Sequence, residues 1–137
     1  MVIISLKPLN HPMSLAQQNM LVQHSFPNFK FSWQNGFGTW RGTLQPSEIS
    51  AVYSILIKYK IGYRPKVWVL KPEPKSNVPH RFSDKSLCLY WNKEWEWSSN
   101  KEIVDTILPW TALWLYYYEL WLDTGEWLAK EAPHSPI

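Results

Sequence analysis

The sequence predicts an α+β fold in a single domain over residues 1–137: one N-terminal helix, a four-stranded antiparallel meander, a long irregular stretch and C-terminal helices. Three observations carry this prediction. Ser14-Leu-Ala-Gln17 has the form of a capping box. Four β-prone runs then follow one another with tight connections. From Trp110 to Leu122 nearly every position is apolar or aromatic, on a scale that suits a helix rather than a strand.

The first helix runs from Ser14 to about His24, with Leu15, Met20, Leu21 and Val22 as its apolar residues. Phe26-Pro27-Asn28 ends it, because proline cannot continue the backbone ladder. Phe29 to Gln34 alternates in polarity, and Asn35-Gly36 is a strong hairpin signal. Thr39 to Leu44 gives the second strand. Ala51–Tyr59 and Lys66–Leu70, rich in β-branched and aromatic residues, give the third and fourth. Lys71-Pro-Glu-Pro-Lys75 breaks the sheet, and an irregular segment reaches about Ser98. Ser99-Asn-Lys-Glu102 is a second capping-box pattern, leading into Ile103, Val104, Ile107 and Leu108. Pro109 kinks or restarts that helix, and Gly125 stops it. A short helix apolar all round is either buried on all sides or half of an interface.

Composition narrows the function. The chain has 137 residues, 45% hydrophobic and 18% charged, which is ordinary globular usage. Its single cysteine excludes an internal disulfide framework and a cysteine-rich zinc site, so no metal and no cofactor is expected. No apolar run reaches the ~18 residues of a membrane span. The apolar start, Met1 to Leu6, is too short for a signal peptide. A cytoplasmic protein without membrane association is the expectation. The net charge of +3 is a mild excess, not the clustered basic stripe of a nucleic-acid binder. The densest basic stretch, Lys58 to Lys75, reads as a solvated strand face and loop.

One segment carries chemistry: Val78-Pro-His-Arg-Phe-Ser-Asp-Lys-Ser-Leu-Cys-Leu-Tyr90. A lone cysteine is commonly a small buried hydrophobe. Cys88, however, follows the turn-prone Ser83–Ser86, and His80 stands eight residues before it. A thiol becomes a useful nucleophile when its thiolate is favoured and a donor can meet the developing oxyanion.

Four segments, in order, resemble the ubiquitin-conjugating enzymes. Gly38-Thr-Trp-Arg-Gly-Thr-Leu44 resembles the family's second strand, W-x-G-x-I. Tyr53 to Val69 is similar to its third and fourth strands with their Tyr/Pro connection. Ser86-Leu-Cys-Leu89 resembles the G-x-[IVL]-C-L active-site signature, and Trp97-Ser-Ser99 the W-S-P that opens the next helix. There are departures. Val78-Pro79-His80 stands where the family has H-P-N, so histidine replaces the asparagine. The signature glycine has become Ser86 or Lys85, and the Tyr/Pro connection keeps a single Pro65. The C-terminal third, with Tyr116-Tyr-Tyr118 and Thr124-Gly-Glu-Trp127, resembles the divergent prokaryotic branch found in CBASS anti-phage operons beside cyclic-nucleotide signalling enzymes.

The resemblance implies a ubiquitin-conjugating-like fold and transthiolation. Cys88 is the implied nucleophile, accepting the C-terminal glycine of a cGAS-like nucleotidyltransferase or a ubiquitin-like protein. His80 is implied as oxyanion and loop support, helped by backbone N–H groups. Asp84 would orient an attacking amine, and His134 would fold back toward the site. The chain carries no Gly-Gly tail and no room for an adenylation domain. A separate activating enzyme, or a partner with its own reactive C-terminus, is then required. The competing expectation is an inactive scaffold that binds its partner through the aromatic helix, at Trp114, Tyr118 and Trp121. A third, stacking of single-stranded nucleic acid on exposed aromatics, fits poorly with the weak charge.

Overall fold

The computed structural model describes residues 12–89 and 96–129. Helix α1 spans Leu15–Ser25. Its capping box forms as the sequence predicts: Ser14 Oγ accepts the Gln17 N–H at 3.1 Å, and Gln17 Oε1 accepts the Ser14 N–H at 2.8 Å. Only Gln18 and Val22 of the helix are buried, and Met20 faces solvent.

Strands β1 (Lys30–Gln34), β2 (Phe37–Leu44), β3 (Tyr53–Tyr59) and β4 (Lys66–Lys71) form one sheet in the order β1-β2-β3-β4, all antiparallel. The β1–β2 turn is the Asn35-Gly36 pair, with φ of 55° and 81°. Positive φ at both central residues matches the twist of the flanking strands, which is why Asn-Gly predicts a hairpin. Tyr53, Ile55, Ile57 and Tyr59 of β3 alternate inward, where they meet Trp40, Val67 and Val69. Gly42 is required by packing: a Cβ there would lie 2.5 Å from the fully buried Phe29 ring.

The second capping box does not form. Ile103–Asp105 is instead a short 3₁₀ turn with no side-chain cap. The Ile103 N–H is satisfied from the other end of the chain, by Gln18 Oε1 at 2.9 Å, while Gln18 Nε2 donates to the Lys101 carbonyl at 2.8 Å. A buried amide that meets two backbone groups removes the need for a local cap.

Helix α2 spans Ile107–Thr124 and ends at Gly125, whose φ of 80° supplies the left-handed cap. Pro109 lies in its first turn, where a missing N–H leaves no bond unmade. The buried residues Ile107, Leu108, Thr111, Trp114, Leu115 and Tyr118 form one stripe that joins the sheet's core. Trp114 is fully buried, and Tyr118 is 5% exposed. These two side chains therefore present no docking surface, contrary to the scaffold expectation. Their rings stack at 5.5 Å and complete the core that a four-stranded sheet alone cannot close. Among the described residues, no helix is long and apolar enough to cross a membrane.

Candidate active site at the Cys88 hairpin

Between β4 and the C-terminal region the chain folds back on itself as a narrow hairpin. Arg81 and Leu87 form an antiparallel bridge. On either side of it, the Cys88 N–H donates to the His80 carbonyl and the Phe82 N–H to the Ser86 carbonyl, both at 2.9 Å. The eight-residue separation of His80 and Cys88 thus becomes direct opposition across a two-stranded ladder. The Leu87 N–H donates to the Val67 carbonyl at 2.8 Å, which docks the hairpin against β4.

The tip explains one departure from the conjugating-enzyme signature. The Lys85 N–H closes a tight turn on the Phe82 carbonyl at 2.8 Å, and Lys85 itself has φ 73°. A turn followed by a left-handed residue is the usual three-residue hairpin connection, and glycine suits that left-handed position. Of the two candidates for the signature glycine, Lys85 is the one with the left-handed backbone. A lysine there costs about 1 kcal/mol of backbone energy. Its Nζ also pairs with Glu73 at 3.2 Å, but an exposed pair contributes less than about that.

Asp84 is a brace. Its Oδ1 accepts the Ser86 N–H at 2.9 Å and the buried Ser86 hydroxyl at 2.6 Å, while Oδ2 meets Lys66 Nζ at 2.8 Å. The Asp84 carbonyl accepts the Trp68 indole N–H at 2.9 Å. The Lys66 ammonium foremost, then the Ser86 donors, hold the Asp84 carboxyl well below the usual carboxylate range. Both carboxylate oxygens are already engaged, Oδ1 within the hairpin turn and Oδ2 against Lys66 of β4.

His80 adopts φ 62°, an uncommon conformation for a non-glycine residue. Its carbonyl accepts two bonds, the Cys88 N–H and the Trp114 indole N–H, the latter at 3.0 Å. At about 1 kcal/mol each, they offset much of the strain of about 1–3 kcal/mol at one residue. The His80 ring packs on Trp127, with centroids 4.9 Å apart. Trp127 also meets Trp114 at 5.3 Å, and its own buried indole N–H has no acceptor among the described residues.

Cys88 is a half-buried thiol. Its N–H is committed to His80, so that backbone donor is not available to an oxyanion. His134 lies outside the described residues. Trp121 is half-buried and stacks on Tyr118 at 6.0 Å. With Lys75, Asn77, Pro79, Leu122 and Gly125 it lines a cleft of about 600 Å³ beside the His80 strand. Among the described residues, no group of three His, Cys, Asp or Glu side chains is placed to hold a metal ion.

Trp127 and Lys66 are the neighbours that the sequence does not mark. No local pattern links Trp127 to His80, 47 positions away, because the contact exists only once the segment after α2 folds back. Lys66 carries a weak signal, as an exposed strand residue two positions before Trp68 that shares its outward face.

The family model described as Type II CBASS E2 protein matches residues 18–135. The chain belongs to this family. The match includes the whole hairpin from His80 to Cys88. This CBASS E2 protein is therefore an E2-like component of CBASS antiviral defence, and it works with other CBASS proteins. A comparison with curated proteins gives no match.

Proposed function

We propose that this CBASS E2 protein carries an acyl group as a thioester on Cys88. The Cys88 thiolate attacks the carbonyl of an activated C-terminal glycine held as a thioester on a donor. The tetrahedral intermediate collapses with loss of the donor thiolate, which takes up a proton. An acceptor amine then attacks the Cys88 thioester, the amide forms, Cys88 leaves as thiolate and the amine gives up a proton. The acyl group is the C-terminal glycine of a CBASS partner, a cGAS-like nucleotidyltransferase. His80 supports the intermediate through an imidazole N–H and holds the Cys88 strand through its carbonyl. Asp84 serves by fixing the hairpin rather than by receiving a proton.

The observation that carries this reading is the direct opposition of Cys88 and His80 on a braced hairpin, in a chain of the CBASS E2 family. Intact-mass spectrometry after co-expression with the CBASS partners tests it. Wild type should show a partner-linked adduct that dithiothreitol removes by thiolysis and a phosphine reductant leaves. Cys88→Ala should show none, and Cys88→Ser should trap an oxyester that dithiothreitol leaves intact. An adduct that persists in Cys88→Ala would refute the thioester assignment.

A further inference from the structure

The basic run that begins at Lys58 has no part in thioester chemistry, yet its arrangement costs stability. Lys58 and Lys66 stand directly opposite each other across β3 and β4, and facing like charges repel. Asp84 offsets Lys66. Among the described residues neither Lys58 nor Lys60 meets a carboxylate. Both ammonium groups instead lie 5.5 Å from the Phe37 ring centre, and Lys60 also lies 5.7 Å from that of Tyr63. Exposed cation–π contacts of about 0.5–1 kcal/mol each are enough to hold these cations in place against their mutual repulsion.

The cations line a depression. Phe37, Lys58, Tyr63, Arg64, Lys66 and Trp68 enclose about 300 Å³. A second cleft of about 410 Å³ shares Arg64 and Lys66, and Phe82, Ser83, Asp84 and Ser86 complete it. Together they make one trough that runs over the outer face of the sheet to the tip of the Cys88 hairpin.

We propose that this trough docks an extended acidic peptide segment of the protein whose C-terminus is delivered to Cys88. The owner of the segment rests on the function proposed above; the recognition chemistry rests on the trough itself. Charge complementarity selects the occupant: among the described residues of the lining, Lys58, Arg64 and Lys66, with Lys60 beside them, outnumber the one carboxylate, Asp84. Guanidinium and ammonium groups both suit carboxylates. The shape favours an extended chain over a compact ligand. Single-stranded nucleic acid fits less well, because ammonium groups sit over Phe37 and over one face of Tyr63, where bases would otherwise stack.

The test uses the full chain, a fluorescein-labelled peptide of alternating Glu and Gly residues, and a single-stranded oligonucleotide of equal charge. The peptide should bind saturably, shift the Trp68 indole N–H resonance, and weaken several-fold between about 50 and 300 mM salt. Lys58→Glu/Lys60→Glu should weaken binding about tenfold and slow the loading of Cys88 by a CBASS donor. Lys58→Gln/Lys60→Gln should show a smaller loss in the same direction, which separates lost recognition from lost folding. Cys88→Ala should bind the peptide as wild type does. Absence of saturable binding, indifference to charge reversal, or tighter binding of the oligonucleotide overturns the proposal. Lysine-dependent peptide binding in a protein that never loads Cys88 would keep the trough and remove the thioester reading. Unchanged loading in the charge-reversed protein would do the opposite.

Discussion

The indole N–H of Trp114 donates to the carbonyl oxygen of His80 at 3.0 Å, and that oxygen also receives the N–H of Cys88. A core residue of α2 is thereby tied, through one atom, to the strand that holds the thiol. Through this bond Trp114 would act as a positioning residue, reaching the Cys88 strand by way of the His80 carbonyl.

Trp114→Phe keeps most of the buried ring and deletes the donor. The loss should be about 1–2 kcal/mol, or a fall of a few degrees in Tm. Cys88 loading should slow by about five- to tenfold in single-turnover mass measurements. Trp114→Leu, which also removes packing, should cost more stability. If Trp114→Phe loads as fast as wild type, the bond is structural only.

His80 separates backbone from side chain. Asparagine tolerates positive φ, so His80→Asn should unfold within about 0.5 kcal/mol of wild type in urea. His80→Val, β-branched at φ 62°, should lose about 2 kcal/mol or more. His80→Ala keeps the carbonyl and removes the imidazole donor. Its loading rate should drop about a hundredfold if the side chain meets the oxyanion, with a changed pH profile. His80→Asn should recover much of that rate.

Asp84 makes an acid-side prediction. Its carboxyl sits below its ordinary value, so its contribution is fully present above the unfolded carboxylate pKa of about 4. The contribution fades as pH falls through the lower folded value. Hydrogen exchange at the Ser86 amide should therefore stay protected through mildly acidic solution. Asp84→Ala, which removes the acceptor, should lose that protection at neutral pH, while the exposed ion pair with Lys66 accounts for less than about 1 kcal/mol of the stability change.

Tyr53 makes the opposite one. Its hydroxyl donates to Glu119 Oε2 at 2.8 Å, and Ser50 Oγ donates to Glu119 Oε1 at 2.6 Å, linking β3 to α2. Burial foremost, then the Glu119 carboxylate, pushes the Tyr53 phenol up from its ordinary value near 10. Below that value both folded and unfolded chains keep the proton. Above it the unfolded chain loses the proton first, so stability falls as pH rises. Tyr53→Phe should cost about 1 kcal/mol at neutral pH and flatten the decline above pH 10 in urea titrations.

Much of the fold could be read locally. The Ser14 box, the Asn35-Gly36 turn, the β-branched and aromatic run of β3 and the Gly125 stop each act within a few residues, through capping, positive φ and strand preference, and each formed where predicted. The Ser99 box did not form: Glu102 stands just before a 3₁₀ turn, and the Ile103 N–H that opens it is met by Gln18 from 85 positions away. The aromatic helix misled for a related reason. Composition shows that Trp114 and Tyr118 are apolar, but only the placement of the sheet shows which face it covers.

The candidate site divides along the same line. The sequence by itself determined the pair of Cys88 and His80, the turn residues between them and the resemblance to conjugating enzymes. The pair and its turn residues lie within one short stretch of chain, and the resemblance rests on short motifs taken in order along it. Tertiary structure alone decided that Asp84 braces the hairpin against Lys66, that Trp114 bonds to the His80 carbonyl, and that Trp127 packs on the His80 ring. These partners approach through space from β4, from α2 and from beyond it. No spacing along the chain encodes them, because each contact depends on how the core seats one element against another.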